Sequence, residues 1–286
     1  MKNRSINSFA KINLFLDVGN KKKLENLHNI RSVIFKVNLR DEIRIKKINS
    51  LNDKITFKGF FAKNIKKGNN SVSQSLSLLR NEGYIKPNNY YKIEIVKKIP
   101  VFSGFGGGSS NAASIVKYFV KKNHLTRKNI NLFSRKLGSD LRLFFYSNQV
   151  YQKDLSTIQN IQNKHRFYFL LVYPFLKCSS KEIYSKFKVS KNIAKNSSYN
   201  LSSKKNLLKK LKLKNNDLEK VVIKKFPIVK KILYAIKHFN NCQFSRVTGS
   251  GSACFGLFLT KKSAELGLKK IKKKFPNYWC VISKTI

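Results

Sequence analysis

The chain has 286 residues, with 60 Lys and Arg against 13 Asp and Glu and a formal net charge of +47. That length suits one large domain or two small ones with ample core, and 42% hydrophobic residues is ordinary globular usage. A basic surface suits nucleic acid, but the lysines run from Lys2 to Lys284 among uncharged Asn, so they read as a general coat and no specific nucleic-acid partner is expected.

Cys178, Cys242, Cys254 and Cys280 lie far apart without CxxC spacing, and His28, His124, His165 and His238 form no HExxH. No zinc site or disulfide framework is therefore expected. No apolar run reaches about 18 residues, so no membrane span is expected. The apolar start of the chain is broken by Lys11 and Asn13 and lacks a small-residue cleavage site. A soluble, cytoplasmic protein with no membrane partner is the expectation. The sequence leaves the oligomeric state open.

In chain order, SFAKINLFLDV (8–18) reads as a strand that puts Lys11 and Asn13 on one face. RSVIFKVNL (31–39) and DEIRIKKI (41–48) read as two more strands. SVSQSLSLLRNEG (71–83) reads as a helix capped by Ser71 and stopped by Gly83. YYKIEIVKK (90–98) alternates, with Tyr91, Ile93 and Ile95 on one face, and predicts a half-buried strand. Helical spacing follows in NAASIVKYFVKK (111–122) and in NINLFSRKLG (129–138), the second ended by Gly138. RFYFLLVYP (166–174) predicts a buried strand. Lys, Asn and Ser dominate 186–217, a solvated helix-and-loop region. Residues 226–239 predict a helix, 252–260 a strand, 263–275 a helix, and the end of the chain a last strand. Strands and helices mix in both halves without strict alternation, which predicts an α+β protein. Loss of pattern near 150–165 divides it into 1–155 and 156–286.

Between the strand at 90–98 and the helix lies PVFSGFGGGSSNAAS (100–114), with Gly104, Gly106, Gly107 and Gly108 in five positions. Glycines let a backbone curl and bring its N–H groups against an anion. The first N–H groups of a helix lack intrahelical partners and carry the positive end of its dipole, so this order predicts an anion site. The helix is expected to begin at Ser109 to Asn111, with Ser109 or Ser110 capping it, donating to a phosphate or reaching a metal. Gly107 is expected at positive φ, where a β-branched side chain blocks nucleotide approach at little cost to stability. No Walker lysine follows the glycines, Ser109 replaces the third glycine of a dinucleotide loop, and no protein-kinase HRD segment is present. A phosphate cradle of another class remains.

That stretch resembles the PxxxGLGGGSSNAA signature of the GHMP kinases. FAKINLFLDV (9–18), LGSD (137–140) and RVTGSGSACFGLF (246–258) resemble further segments of that family, in the same order and spacing. The resemblance implies a two-domain GHMP kinase fold with ATP, accompanied by Mg2+, in a cleft between the domains. It makes Pro100, Val101, Phe102, Ser103, Gly104, Phe105, Gly106, Gly107, Gly108, Ser109 and Ser110 the nucleotide-binding stretch. It implies Asp140 as catalytic base and Lys11 as catalytic lysine. Phosphoryl transfer is chemistry that needs positioning, charge stabilisation and an acceptor for the attacking hydroxyl's proton.

The FAKINLFLDV segment and His28 point, within the family, to members whose alcohol is a diphosphocytidyl methylerythritol, phosphorylated on the way to isoprenoid precursors. Asn13 then matches a residue of the methylerythritol pocket and His28 one that contacts cytosine. The chain departs from that pattern where Asn26 and Leu27 replace Gly and Tyr, removing the stacking ring there, and where Arg142 replaces proline. GNNSV (68–72) stands where the family has DNL near the adenine, with Asn70 in place of that asparagine. Two other readings compete: a GHMP kinase for homoserine or mevalonate, and a basic nucleic-acid-binding protein derived from a decayed kinase.

Overall fold

In the computed structural model, described over residues 4–22, 27–65, 68–189, 201 and 203–286, the chain forms two compact units interleaved along its length. Among the described residues, the first takes those within Met1–Ala10, Leu39–Val101 and Gly106–Tyr146. The second takes Lys11–Asn38, Phe102–Phe105 and those within Ser147–Ile286.

In the first unit, strand β3 (Leu27–Ile48) contributes its C-terminal half, β4 is Lys54–Lys58 and β5 is Tyr90–Val96. β5 runs antiparallel to β3, with Glu42 opposite Val96 and Ile48 opposite Tyr90, and parallel to β4. The alternation read in β5 holds, since Ile93 and Ile95 are buried while Lys92 is exposed. Two separate strands were expected at 31–39 and 41–48. They form one, because Asp41 makes no turn: its buried carboxylate accepts the amides of Lys98 and Ile99 at 2.8 and 2.9 Å and pairs with the Lys97 ammonium.

Helix α1 (Ser71–Asn81) is capped by Asn70 rather than Ser71. The Asn70 side chain accepts the amides of Val72 and Ser73, and the Ser73 hydroxyl reaches back to the Asn70 backbone. That reciprocal pair satisfies donors which Ser71, already helical, cannot reach. Gly83, at φ +74°, follows the helix end as expected. Helix α2 (Gly107–Phe119) packs on α1, and α3 (Arg127–Leu137) is capped by Thr126 and stopped at Gly138.

In the second unit, the N-terminal half of β3 pairs antiparallel with β2 (Asp17–Lys22) and with β6 (Gln149–Gln152), which pairs in turn with β7 (Ile158–Asn160). Strand β1 (Arg4–Asn13) brings Lys11 to Asn13 into this unit. A four-stranded antiparallel sheet runs β11-β8-β10-β9, from β8 (Tyr168–Tyr173), β9 (Phe244–Val247), β10 (Cys254–Phe258) and β11 (Trp279–Lys284). β8 lies between two neighbours and is buried on both faces from Phe169 to Tyr173, which is why YFLLVY reads as a continuous apolar run.

Short helices α4 (Ser180–Ser185) and α5 (Lys204–Lys212) occupy the polar region, where 190–200 and 202 lie outside the described residues. The helix expected over 226–239 is α7 (Ile228–Lys237), and a further short helix, α6 (Glu219–Lys225), precedes it. Pro227 separates them: proline donates no amide and drives the residue before it out of helical geometry, and Phe226 sits at φ −134°, ψ 84°. α7 and α8 (Lys261–Lys274) pack on the four-stranded sheet, around a core that includes Leu170, Val172, Ile232, Ile236, Phe258 and Ile271. Among the described residues no helix is long and apolar enough to cross a membrane.

Candidate active site

The helix after the glycines starts earlier than expected. Its N-cap is Gly106, in the left-handed region at φ +72°, and Gly107 and Gly108 form its first turn. A glycine cap carries no side chain, so no side-chain cap hydrogen bond is made to the first-turn amides. Ser109 and Ser110 are therefore inside the helix and neither caps it. The Ser110 hydroxyl is buried and lies 2.8 Å from the Ser8 hydroxyl, which donates to Asn111 Oδ1 at 2.8 Å and so accepts from Ser110. Ser109 is only half-buried and stands in the open first turn.

The glycines have distinct reasons. Gly104 has φ +88°, and a Cβ there would lie 2.1 Å from the Thr248 carbonyl oxygen. Gly107 is not at positive φ; a Cβ there would press on Ile99 at 3.0 and 3.2 Å and on the Lys97 ammonium at 3.3 Å. Replacing Gly107 therefore strains the packing beneath the helix, contrary to the expectation that stability is spared. At Gly108 a Cβ would meet only the Ser71 Oγ, at 3.7 Å. Pro100 is buried and Val101 half-buried before the turn, Ser103 and Phe105 are buried, and Phe102 is exposed at φ +55° with its carbonyl accepting the Cys178 amide. A bulky residue in that region is strained.

In the second unit the loop's Phe102–Phe105 segment meets β1 and the loop Thr248–Ser252. The Lys11 amide donates to the Phe105 carbonyl at 2.9 Å, and the Ala253 amide to the Ser103 carbonyl at 3.1 Å. Lys11 and Asn13, 4% exposed each, share a face of β1 as predicted. Lys11 Nζ donates to Asn13 Oδ1 at 2.5 Å, Asn13 Nδ2 donates to Ser32 Oγ at 2.9 Å, and the Asn13 amide donates to Thr248 Oγ1 at 3.1 Å. A Cβ on Gly249 would sit 3.1 Å from Lys11 Nζ and 3.3 Å from Asn13 Oδ1, so this glycine admits the pair.

The Thr248–Ser252 loop is held from behind. Asn216 donates to the carbonyls of Val247 and Gly249, and Glu219 accepts the Val247 amide. Arg246 spends its guanidinium on backbone carbonyls of Leu14, Leu211 and Lys214, and burial pushes its pKa down to about 10.

His28 lies on β3, 8% exposed. Its Nδ1 pairs with the Gly19 carbonyl at 2.8 Å, and its Nε2 is buried without a hydrogen-bond partner. The Tyr184 ring stacks on it with centroids 5.7 Å apart, and Phe187 meets it edge-on at 6.1 Å. Leu27 beside it is exposed, while Asn26 lies outside the described residues. Position 27 carries no ring, and the aromatic neighbours of His28 come instead from the α4 segment, about 155 positions further on.

Asp140 belongs to the first unit. It occupies a 3-10 turn, Ser139–Phe145, entered through Gly138 at φ +112°. The turn packs on α2 and α3, and Lys117 of α2 donates to the Phe144 carbonyl, its own pKa lowered by burial. Arg142, the departure from proline, is half-buried in the same turn. Among the described residues no three His, Cys, Asp or Glu side chains gather as a metal site.

Sequence reasoning missed Thr248, Asn216, Ser32, Tyr184, Phe187 and the buried Lys97–Asp41 pair. Thr248 lay inside a quoted motif and could have been found there. The others carry no local signal, since each acquires its role from a partner distant in sequence.

The family described as "GHMP kinases N terminal domain" matches residues 70–147, and "GHMP kinases C terminal" matches residues 200–277. A protein of Pelagibacter ubique named 4-diphosphocytidyl-2-C-methyl-D-erythritol kinase is 37% identical over 292 residues, covering all of both chains. One of the same name from Wolbachia pipientis is 30% identical, covering 98% of this chain and 97% of its own. Among solved structures, a 4-(cytidine 5'-diphospho)-2C-methyl-D-erythritol kinase superposes with TM-score 0.73 at 19% identity, covering 99% of this chain and 100% of that one. A homoserine kinase from Cytophaga hutchinsonii gives 0.68 at 18%, covering 99% and 94%. At such identities the structural likeness speaks for the fold.

Proposed function

The chain belongs to the 4-diphosphocytidyl-2-C-methyl-D-erythritol kinase family of GHMP kinases, and from that premise we propose that it transfers the γ-phosphate of ATP to the 2-hydroxyl of 4-diphosphocytidyl-2-C-methyl-D-erythritol. The step belongs to the non-mevalonate route to isoprenoid precursors. The observation that carries the reading is the N-terminus of α2, which starts on Gly106 to Gly108 with no capping side chain on its first-turn amides. Such a terminus attracts phosphate through its amides and dipole together.

In this proposal ATP enters as its Mg2+ complex, the metal being carried by the phosphates. Pro100 to Ser110 form the nucleotide-binding stretch, with Ser109 donating to a phosphate. Asp140 accepts the proton of the attacking hydroxyl, and Gly138 and the 3-10 turn set its backbone. The Lys11 ammonium, aimed by Asn13, opposes the negative charge that builds on the transferring group. His28, with an unsatisfied buried nitrogen between Tyr184 and Phe187, suits a pyrimidine, whose ring offers a flat face and hydrogen-bonding edge. We take 1–155 and 156–286 as the N- and C-terminal domains in chain order, and the cytoplasm as the place of action.

A coupled ADP-release assay tests the reading, with the diphosphocytidyl alcohol set against homoserine and mevalonate. Turnover of the first at least a hundredfold above the others supports it; preference for either of the others overturns it.

A further inference from the structure

We propose that Ser32 is a positioning residue of the phosphoryl-transfer site, acting through Asn13 on Lys11. The inference rests on the reading of Lys11 and Asn13 given above, and it concerns the direction of a hydrogen-bond chain. Ser32 lies in the N-terminal half of β3 and is fully buried. A serine hydroxyl has one proton to give. Here the Phe15 carbonyl accepts it at 2.5 Å, while the alternative Val33 carbonyl stands at 3.4 Å. With its proton committed, Ser32 Oγ faces Asn13 only as an acceptor.

The polarity of the whole chain follows. The Asn13 group 2.9 Å from Ser32 Oγ must be the NH2, because two acceptors facing each other would repel. The Asn13 carbonyl oxygen then points to Lys11, whose ammonium can only donate. Lys11 gives to Asn13, Asn13 to Ser32, and Ser32 to the Phe15 carbonyl. A rotated amide would set two donors against each other at Lys11 and two acceptors at Ser32. The Asn13 backbone is pinned separately by Thr248 Oγ1, so the amide rotation is the freedom that Ser32 removes. Ser32 sits 19 positions from Asn13 in sequence, and its Oγ bonds join the Asn13 amide to backbone carbonyls.

Loss of the Ser32 oxygen leaves the Asn13 NH2 without its acceptor in a buried place, where rotation toward other oxygens is favoured. Lys11 then loses its aim in the transition state. Ser32→Ala is expected to lower kcat roughly tenfold while ATP affinity and melting temperature change little. Ser32→Thr keeps the hydroxyl and is expected to stay within about threefold of wild type.

A second measurement separates positioning from simple packing. In 15N-labelled protein, the Asn13 side-chain amide signal is assigned by its loss in Asn13→Asp. Its hydrogen exchange should be slow in wild type and Ser32→Thr, and at least about tenfold faster in Ser32→Ala. Should Ser32→Ala fail to fold, Ser32→Cys, with a weaker acceptor in the same place, reads both quantities. Unchanged exchange, or a fall in kcat that the threonine variant shares, overturns the proposal and makes Ser32 a packing residue. Failure of the wild-type protein to phosphorylate the alcohol would instead overturn the functional reading, since the exchange measurement does not depend on turnover.

Discussion

Gly108→Ala separates anion binding from folding. A Cβ at Gly108 would meet only the Ser71 Oγ, at an ordinary 3.7 Å, and the residue is exposed and at no positive φ. The fold therefore has no steric reason to object. Alanine is the better helix former, by up to ~1 kcal/mol in a helix interior and less in a first turn, so the melting temperature should hold or rise slightly. Helical Cβ atoms tilt toward the N-terminus, so the new methyl leans into the space before the first-turn amides. If it removes two hydrogen bonds to a charged phosphate, at about 1.5 kcal/mol each, the loss is about 3 kcal/mol, or roughly a hundredfold in ATP affinity. Titration calorimetry with a non-hydrolysable ATP analogue reads this directly. Gly107→Ala is the contrast: its methyl presses on Ile99 and Lys97 at 3.0 to 3.3 Å and should lower stability by about 1–3 kcal/mol. An analogue affinity for Gly108→Ala within about threefold of wild type would refute the assignment of the α2 N-terminus as the phosphate site.

Other outcomes follow from the same geometry. Asp140→Asn should lose ~10²–10⁴-fold in kcat with nucleotide affinity intact, since an amide cannot accept the hydroxyl's proton; turnover within threefold of wild type in steady-state assays would make Asp140 structural. Gly104→Ala combines a left-handed backbone at φ +88° with a methyl 2.1 Å from the Thr248 carbonyl. It should cost about 3 kcal/mol and lower the melting temperature by several degrees in calorimetry. Excess duplex DNA at about physiological salt should leave kinase activity essentially intact, because scattered lysines bind phosphates weakly and with steep salt dependence; tight, sequence-selective binding in a gel-shift titration would restore the nucleic-acid reading.

The sequence by itself determined whatever rests on chemistry within a few residues. Four glycines ahead of a small-residue helix specify an open helix N-terminus, because only glycine combines a left-handed cap with no side chain over the amides. The period of a strand puts Lys11 and Asn13 on one face, and alternation in YYKIEIV gives its buried side. Tertiary structure decided the rest. That Gly106, rather than Ser109 or Ser110, caps the helix depends on Ser110 being drawn inward to Ser8. That 31–48 is one strand depends on Asp41 finding its donors at Lys97 to Ile99. That Gly104 must lack a side chain depends on Thr248, and that His28 has aromatic neighbours depends on Tyr184 and Phe187. Each of these is a pairing across tens to hundreds of positions, and periodicity carries no record of which distant partner will satisfy a buried group. The Ser32 hydroxyl is the clearest instance: an ordinary serine in a strand, given its direction only when the fold brings the Phe15 carbonyl to one side of it and the Asn13 amide to the other.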